Sequence, residues 1–325
     1  MPQHSTTDGN DSSEEFVFGV DFSKLDVSSI EFGDDNDVTV ADLQLQAAAA
    51  RERCYELMVK RWNDVATNTK GCCEDSDVSE LFRWAVAKGA NLNRIECRKD
   101  EFGGRGLYVK DEATTIGDVV ATLPRSLRIG QNHACQKLGL PKGTADLSAL
   151  ALMVVDALDK DEVFARCLPR QCSNAVFMTL EQEAYWAHLG AEYAMAIGRI
   201  RDQATSCVNY IQDCVTIGSD QLGNAISKDC IIWWAIAMVP SRTHGFGSSK
   251  NRWMTPVFDF CNHSPRPNCR LEGDSEGNLV LKAVLKIAKG EEITIDYQVP
   301  DDAKLVATYG FSLKHPWPVA SNDRI

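Results

Sequence analysis

Residues Phe258–Phe311 read FDFCNHSPRPNCRLEGDSEGNLVLKAVLKIAKGEEITIDYQVPDDAKLVATYGF, and the architecture turns on how this stretch divides. Asn262-His263-Ser264 ahead of Pro265 has the chemistry of a loop, because Pro fixes φ and short polar side chains bond to nearby backbone. NLVLKAVL and EEITIDY are rich in β-branched and apolar residues and read as strands, the second entered through a turn at Lys289–Gly290. Tyr297 closes that strand, and Tyr309, twelve residues on, lies in ATYGF (Ala307–Phe311). Each piece alone has an ordinary explanation. A strand-end Tyr commonly packs in a core with its hydroxyl bonded or wetted. A lone His without Cys or carboxylate partners at chelating spacing gives no metal site, and none is expected.

Upstream, GGRGLYV (Gly103–Val109) has the glycines of a phosphate-binding loop. Such a loop needs a strand before it and a helix after it. Here strand-like residues and an acidic turn follow, so a tight hairpin is expected, with glycines that allow close backbone approach. Strands are expected near Ile95–Arg98, Gly106–Lys110 and Asp118–Leu123. From Thr144 to Ser241 the pattern is helical, in ADLSALALMVVDALD, LEQEAYWAHLGAEYAMAIGRIRDQATSCVNYIQDCV and SKDCIIWWAIAMV. The apolar run Ile231–Val239 ends at Pro240, is too short to span a membrane, and reads as a buried helix. Before the first strand, SELFRWAVAKG reads as a short helix capped by Ser79 and stopped by Gly89. A longer helix is expected over Asp42–Thr67. Helices, strands, a helical insert and strands again make an α+β arrangement.

The 325 residues are 44% apolar, enough for a sizeable core. No basic, apolar leader opens the chain, so the cytoplasm or nucleus is expected. Twelve cysteines include no CxxC pair, which excludes the usual zinc spacing and reads as free thiols. Residues 1–40 hold ten acidic residues and one Lys, a net of −9, so the remainder carries −3 of the total −12. The tail reads as solvated disorder, or as a docking segment using Phe16, Phe18, Phe22 and Phe32. The near-neutral body offers no footprint for nucleic acid.

In this order, the RGL turn, the NHS loop, the GEEI-x-I-x-Y strand and the YGF close resemble the SET-domain methyltransferases, over about Leu81 to Leu313. Arg105 and Asn262 stand 157 residues apart. VPSRTHGF (Val239–Phe246), MTPVFDFCNHS (Met254–Ser264) and the helix FRWAVAKGANLNRIE (Phe82–Glu96) look like the branch of the Rubisco large-subunit lysine and actin-histidine methyltransferases. A zinc-closed, histone-directed site is not expected, because no cysteine follows Cys269. Fourteen residues follow Phe311, where that branch has a long helical C-terminal domain.

The resemblance implies a SET fold of small β-sheets with a knot-like C-terminal close, a helical insert and N-terminal helices. It divides the chain into an acidic tail 1–40, a helical segment 41–92, a SET domain 93–313 with its insert at 144–241, and a short end 314–325. It implies S-adenosyl-L-methionine as cofactor and a monomer acting on a Lys-bearing segment of a protein. Tyr297 is implied as the catalytic tyrosine, with Tyr309 lining the same channel. Arg105, Leu107, Ser241, Asp259, Asn262, His263 and Tyr297 are implied around the cofactor, and Arg242 and Phe311 along the substrate channel. Methylation of a histidine, or a non-catalytic binding role, remains an alternative on the same motifs.

Overall fold

The computed structural model describes residues 74–99, 104–169, 172–214, 228–245 and 252–315. The acidic tail, the helix expected over Asp42–Thr67 and residues 316–325 lie outside the described residues. By its contacts the chain divides into units Met1–Ala49 and Ala50–Ile325, and all described residues belong to the second.

Helix α1 (Asp75–Ala87) starts four residues before Ser79, which corrects the expected cap. The acidic run wins because the Glu74 N–H donates to the Asp77 carboxylate at 3.0 Å, and Asp75 and Asp77 favour the positive end of the helix dipole. Ser79 instead turns its hydroxyl onto the Asp75 carbonyl, 2.7 Å away. Gly89, at φ +94°, stops the chain where the sequence places the stop.

Strands β1 (Ile95–Lys99) and β2 (Arg105–Val109) form the expected hairpin, in register from Ile95 opposite Val109 to Lys99 opposite Arg105. The other edge of β2 takes β10 (Glu292–Ile295), which runs parallel to the two-residue β7 (Asn262–His263). Sheet order is therefore β1-β2-β10-β7, with β10 threaded between two segments far apart in sequence. A second sheet joins β3 (Val119–Leu123), β9 (Leu279–Ala283) and β8 (Cys269–Gly273).

The insert hangs from a third sheet. Its ends, β4 (Ile129–Gly130) and β5 (Thr243–His244), both pair with β6 (Trp253–Met254). Helices α2 (Gln131–Leu138), α3 (Asp146–Asp159), α4 (Val163–Arg166), α5 (Leu180–Leu189), α6 (Ala191–Cys214) and α7 (Lys228–Arg242) lie between. Ten of the fourteen residues of α3 are buried, so this helix is core on nearly every side. Trp234 of α7 is fully buried and donates its indole N–H to the Pro169 carbonyl at 3.0 Å. Pro240 does not end α7, which runs on to Arg242. In the last turn a Pro forfeits one backbone bond and has little helix left to break. The helical pattern that begins at Leu180 divides at Gly190, the C-cap of α5.

Helix α8 (Asp302–Tyr309) is capped by the Asp301 carboxylate, which accepts from the Lys304 backbone N–H at 2.7 Å. Gly310 ends it at φ +80°, where an added Cβ would fall 2.4 Å from the Ser173 carbonyl oxygen, so both backbone shape and space require glycine. Buried Asp302 accepts from Tyr193 Oη (2.9 Å), Ser312 Oγ (2.5 Å) and the Leu313 N–H (2.8 Å). This network anchors the segment carrying Tyr309 and Phe311.

Candidate active site

Packing of β2 against β10 and β7 sets the first half of the site. Asn262 Nδ2 donates to the Arg105 carbonyl at 3.2 Å and to Glu292 Oε1 at 2.6 Å. A Cβ on Gly106 would lie 2.5 Å from that Glu292 oxygen and 3.2 Å from Asn262 Nδ2, so glycine makes room for this side-chain bolt. With both amide protons committed, Asn262 keeps its Oδ1 as an acceptor. The Arg105 side chain turns away to Asp75, at 2.8 Å. Leu107 is fully buried, in register between Cys97 and Ile293. Of the RGL residues, it is therefore the Arg105 carbonyl that meets Asn262.

The second half follows a strained turn. Val257, fully buried, sits at φ 79° and ψ −50°, a γ-turn geometry that costs a β-branched residue about 1–3 kcal/mol. Beyond it, the Asp259 N–H bonds back to the Thr255 carbonyl at 3.0 Å. The Arg242 guanidinium donates to the Asp259 backbone carbonyl at 2.9 Å. Asp259 Oδ1 and Arg242 Nε are buried without a hydrogen-bond partner. Burial raises the Asp259 carboxyl to about 6, although neighbouring Arg242 pulls it back. Ser241 spends its hydroxyl on the Met238 carbonyl of its own helix, at 2.9 Å.

Tyr297 joins the halves. Its hydroxyl donates to the Cys261 carbonyl at 2.9 Å, and its backbone N–H donates to His263 Nδ1 at 3.2 Å. Its ring lies 4.5 Å from the Tyr309 ring and 5.2 Å from the His263 ring, centroid to centroid. Phe311 stands 6.1 Å from both His263 and Tyr309. Immediately after Tyr297, Gln298 takes φ 54° and turns the chain away. Burial pushes the Tyr297 phenol far above its ordinary value and Tyr309 to about 12. Both phenols are therefore neutral at physiological pH, able to orient a partner by hydrogen bonding but not to act as bases.

Tyr297 and Tyr309 also line a cleft of about 420 Å³, with Ile295, Thr243, His244 and Leu271 among its walls. Arg105, Ser241, Asp259, Asn262, His263 and Phe311 are not among its lining residues. His244 is half-buried; desolvation first, and then the charge of Arg242, hold its pKa down to about 4, and its Nδ1 lies 2.8 Å from Thr255 Oγ1. The residues expected from sequence thus separate into two groups that meet at Tyr297. One is the Asn262–His263 strand with its neighbours, and the other is the cleft.

Four contributors escape a sequence reading: the Cys261 carbonyl, Glu292, the Val257 turn and the His244–Thr255 pair. Only Glu292 carried a signal, as a carboxylate on the face of β10 that it shares with Thr294, opposite the two isoleucines. Among the described residues, no group of His, Cys, Asp and Glu side chains is arranged to hold a metal ion. No described helix is long and apolar enough to cross a membrane.

The polar groups fit S-adenosylmethionine. Asn262 Oδ1 and the Arg105 carbonyl would accept from an ammonium group, and the rings of His263 and Phe311, 6.1 Å apart, would flank a planar one. The buried carboxyl of Asp259 is compatible with a nearby cation.

The overall fold resembles the crystal structure of the SET domain of LSMT bound to lysine and AdoHcy, with a TM-score of 0.60 and 16% identity over 73% of this chain and 57% of that one. The structure of Rubisco LSMT bound to AdoMet matches at a TM-score of 0.57 and 17% identity, over 73% and 56%. The chain thus spans a little over half the length of these relatives. No curated protein sequence matches it. The sequence signature of the SET domain matches residues 104–298, more than half of the chain. With the strand order, the Asn262–Arg105 contact and the Tyr297–Tyr309 pair already in place, the chain belongs to the SET-domain family.

Proposed function

We propose that this protein is an S-adenosylmethionine-dependent protein methyltransferase that methylates the neutral amine of a lysine side chain. The observation carrying this reading is the position of Tyr297. It lines a cleft, ring against Tyr309, hydroxyl bonded to the Cys261 carbonyl and backbone bonded to His263. When bound, S-adenosylmethionine supplies an electrophilic methyl group on a sulfonium. Asn262 Oδ1 and the Arg105 carbonyl would receive its amino end, His263 and Phe311 would flank its planar part, and Arg242 and Asp259 would contribute their unsatisfied polar atoms.

A free lysine has a pKa of about 10.4 and is charged at neutral pH. Ile295, Leu271 and Val284 are apolar walls of the cleft that disfavour the ammonium. The Tyr297 hydroxyl donates a hydrogen bond to the Cys261 carbonyl, so its oxygen lone pairs remain available to accept from the amine. Alignment of the acceptor is the main contribution asked of the protein, an effect worth up to about 7–11 kcal/mol in oriented systems. Residues 93–313, with the insert at 144–241, are proposed as the working unit.

The test combines calorimetry with S-adenosylhomocysteine and mass spectrometry of proteins incubated with enzyme and S-adenosylmethionine. Binding together with methyl-lysine is expected. Methyl-histidine alone would overturn the lysine assignment, and binding without transfer to any protein would overturn the enzymatic one.

A further inference from the structure

The charged groups lining the cleft are Arg252, Arg270, Lys304 and Asp296. Arg270 is paired with Glu272, outside the lining. Asp296 accepts from the Gln298 backbone N–H at 2.8 Å, which turns its carboxylate toward its own chain. Among the described residues, neither the Arg252 guanidinium nor the Lys304 ammonium has an ion-pair or hydrogen-bond partner. The carboxylate that caps α8, Asp301, accepts the Lys304 backbone N–H, and no ion pair joins the two side chains. His244 adds no positive charge above about pH 4. Two uncommitted cations thus face one carboxylate, in a chain with 46 acidic residues against 34 basic ones.

Resting on the methyl-transfer reading above, we infer that this cleft selects a lysine flanked by carboxylates, that is, an acidic segment of a protein. Arg252 and Lys304 attract the flanking acids. Basic flanks would meet like charge in a half-enclosed space. The same cations serve the chemistry. Acidic neighbours stabilise the ammonium form of the target lysine, and positive charge beside Tyr309 offsets this and favours the neutral amine.

The experiment uses the full chain, S-adenosylmethionine and three sets of peptides carrying one central lysine, with acidic, neutral or basic flanks. Methyl-lysine is quantified by mass spectrometry. Acidic flanks are expected to be preferred over basic ones by about tenfold at low salt, as two exposed pairs would give, and the preference should shrink as salt rises. In the double variant Arg252→Glu/Lys304→Glu, the ratio inverts in favour of basic flanks. Because the readout is a ratio within one protein, partial loss of folding does not mimic inversion. Transfer by the parent protein without acidic preference, or a double variant that keeps it, overturns the inference and leaves the methyl-transfer reading intact. No transfer to any set overturns the lysine reading, and this inference with it.

Discussion

Around Tyr297 the chain is held by single polar contacts between very short strands, whereas in the insert α3 and α7 are held by continuous apolar packing. Strand β7 is two residues long, and its alignment relies on the Asn262 contacts to Arg105 and Glu292. Helix α3 buries ten residues, and α7 places Trp234 and Ile236 fully inside the core. One region concentrates orientation in a few hydrogen bonds, each worth about 1 kcal/mol to stability. The other spreads stability over many contacts, each replaceable in kind but costly to empty. Stability and activity should therefore separate by region.

The largest effect is expected from emptying the insert. Trp234→Ala should cost about 3–5 kcal/mol in denaturant unfolding. The folded fraction should still bind S-adenosylhomocysteine with an affinity within about threefold of the parent, a change under about 0.7 kcal/mol. An affinity that collapses with the stability would erase the distinction between regions.

Tyr297→Phe should do the reverse. Methyl transfer is expected to fall by about a hundredfold, near 2.7 kcal/mol in the barrier, because the hydroxyl that aligns the amine is gone. Unfolding free energy should drop by only about 1 kcal/mol, the worth of its bond to Cys261. Smaller still is the expected effect of Glu292→Ala. Freed from one partner, the Asn262 amide loses its fixed orientation, and S-adenosylhomocysteine affinity should fall by about tenfold, near 1.4 kcal/mol. Glu292→Gln, which keeps an acceptor at that place, should restore most of it. Calorimetry that finds Ala and Gln equal would reduce Glu292 to packing.

The smallest expected effect is on the pH dependence of stability, because two groups oppose each other. The folded value of His244, about 4, lies below the ordinary 6.5, so its contribution is complete above pH 6.5 and is lost as pH falls toward 4. Asp259 has a folded value of about 6, above the ordinary 3.8, so its buried charge costs stability as pH rises through 6, and acidification recovers it. Thermal unfolding should therefore change little between pH 4 and 6.5. Asp259→Asn should steepen the loss on the acid side, and His244→Gln should make the protein more stable as pH falls.

Much of this comparison was legible in the sequence. The apolar runs of α3 and α7 and the apolar, β-branched stretches of β9 and β10 survive folding nearly unchanged, because burial there acts on whole elements. Strands β4 to β7 were not legible, since two residues carry no periodicity and their pairing is decided by what lies across from them. Ser79 failed as a cap because Glu74 and Asp77 offered a stronger arrangement one turn earlier. The aromatic cluster and Asn262 were readable as motifs. That the RGL glycine serves Asn262 and Glu292, and that Leu107 packs in the sheet, depends on register between segments more than 150 residues apart, which no local pattern encodes.

The central claim is most directly tested by single-turnover methyl transfer from labelled S-adenosylmethionine, with the parent protein and Tyr297→Phe shown by calorimetry to bind S-adenosylhomocysteine equally. Transfer to lysine by the parent and a loss of about a hundredfold in the variant are expected. Equal transfer by the two proteins would contradict the claim.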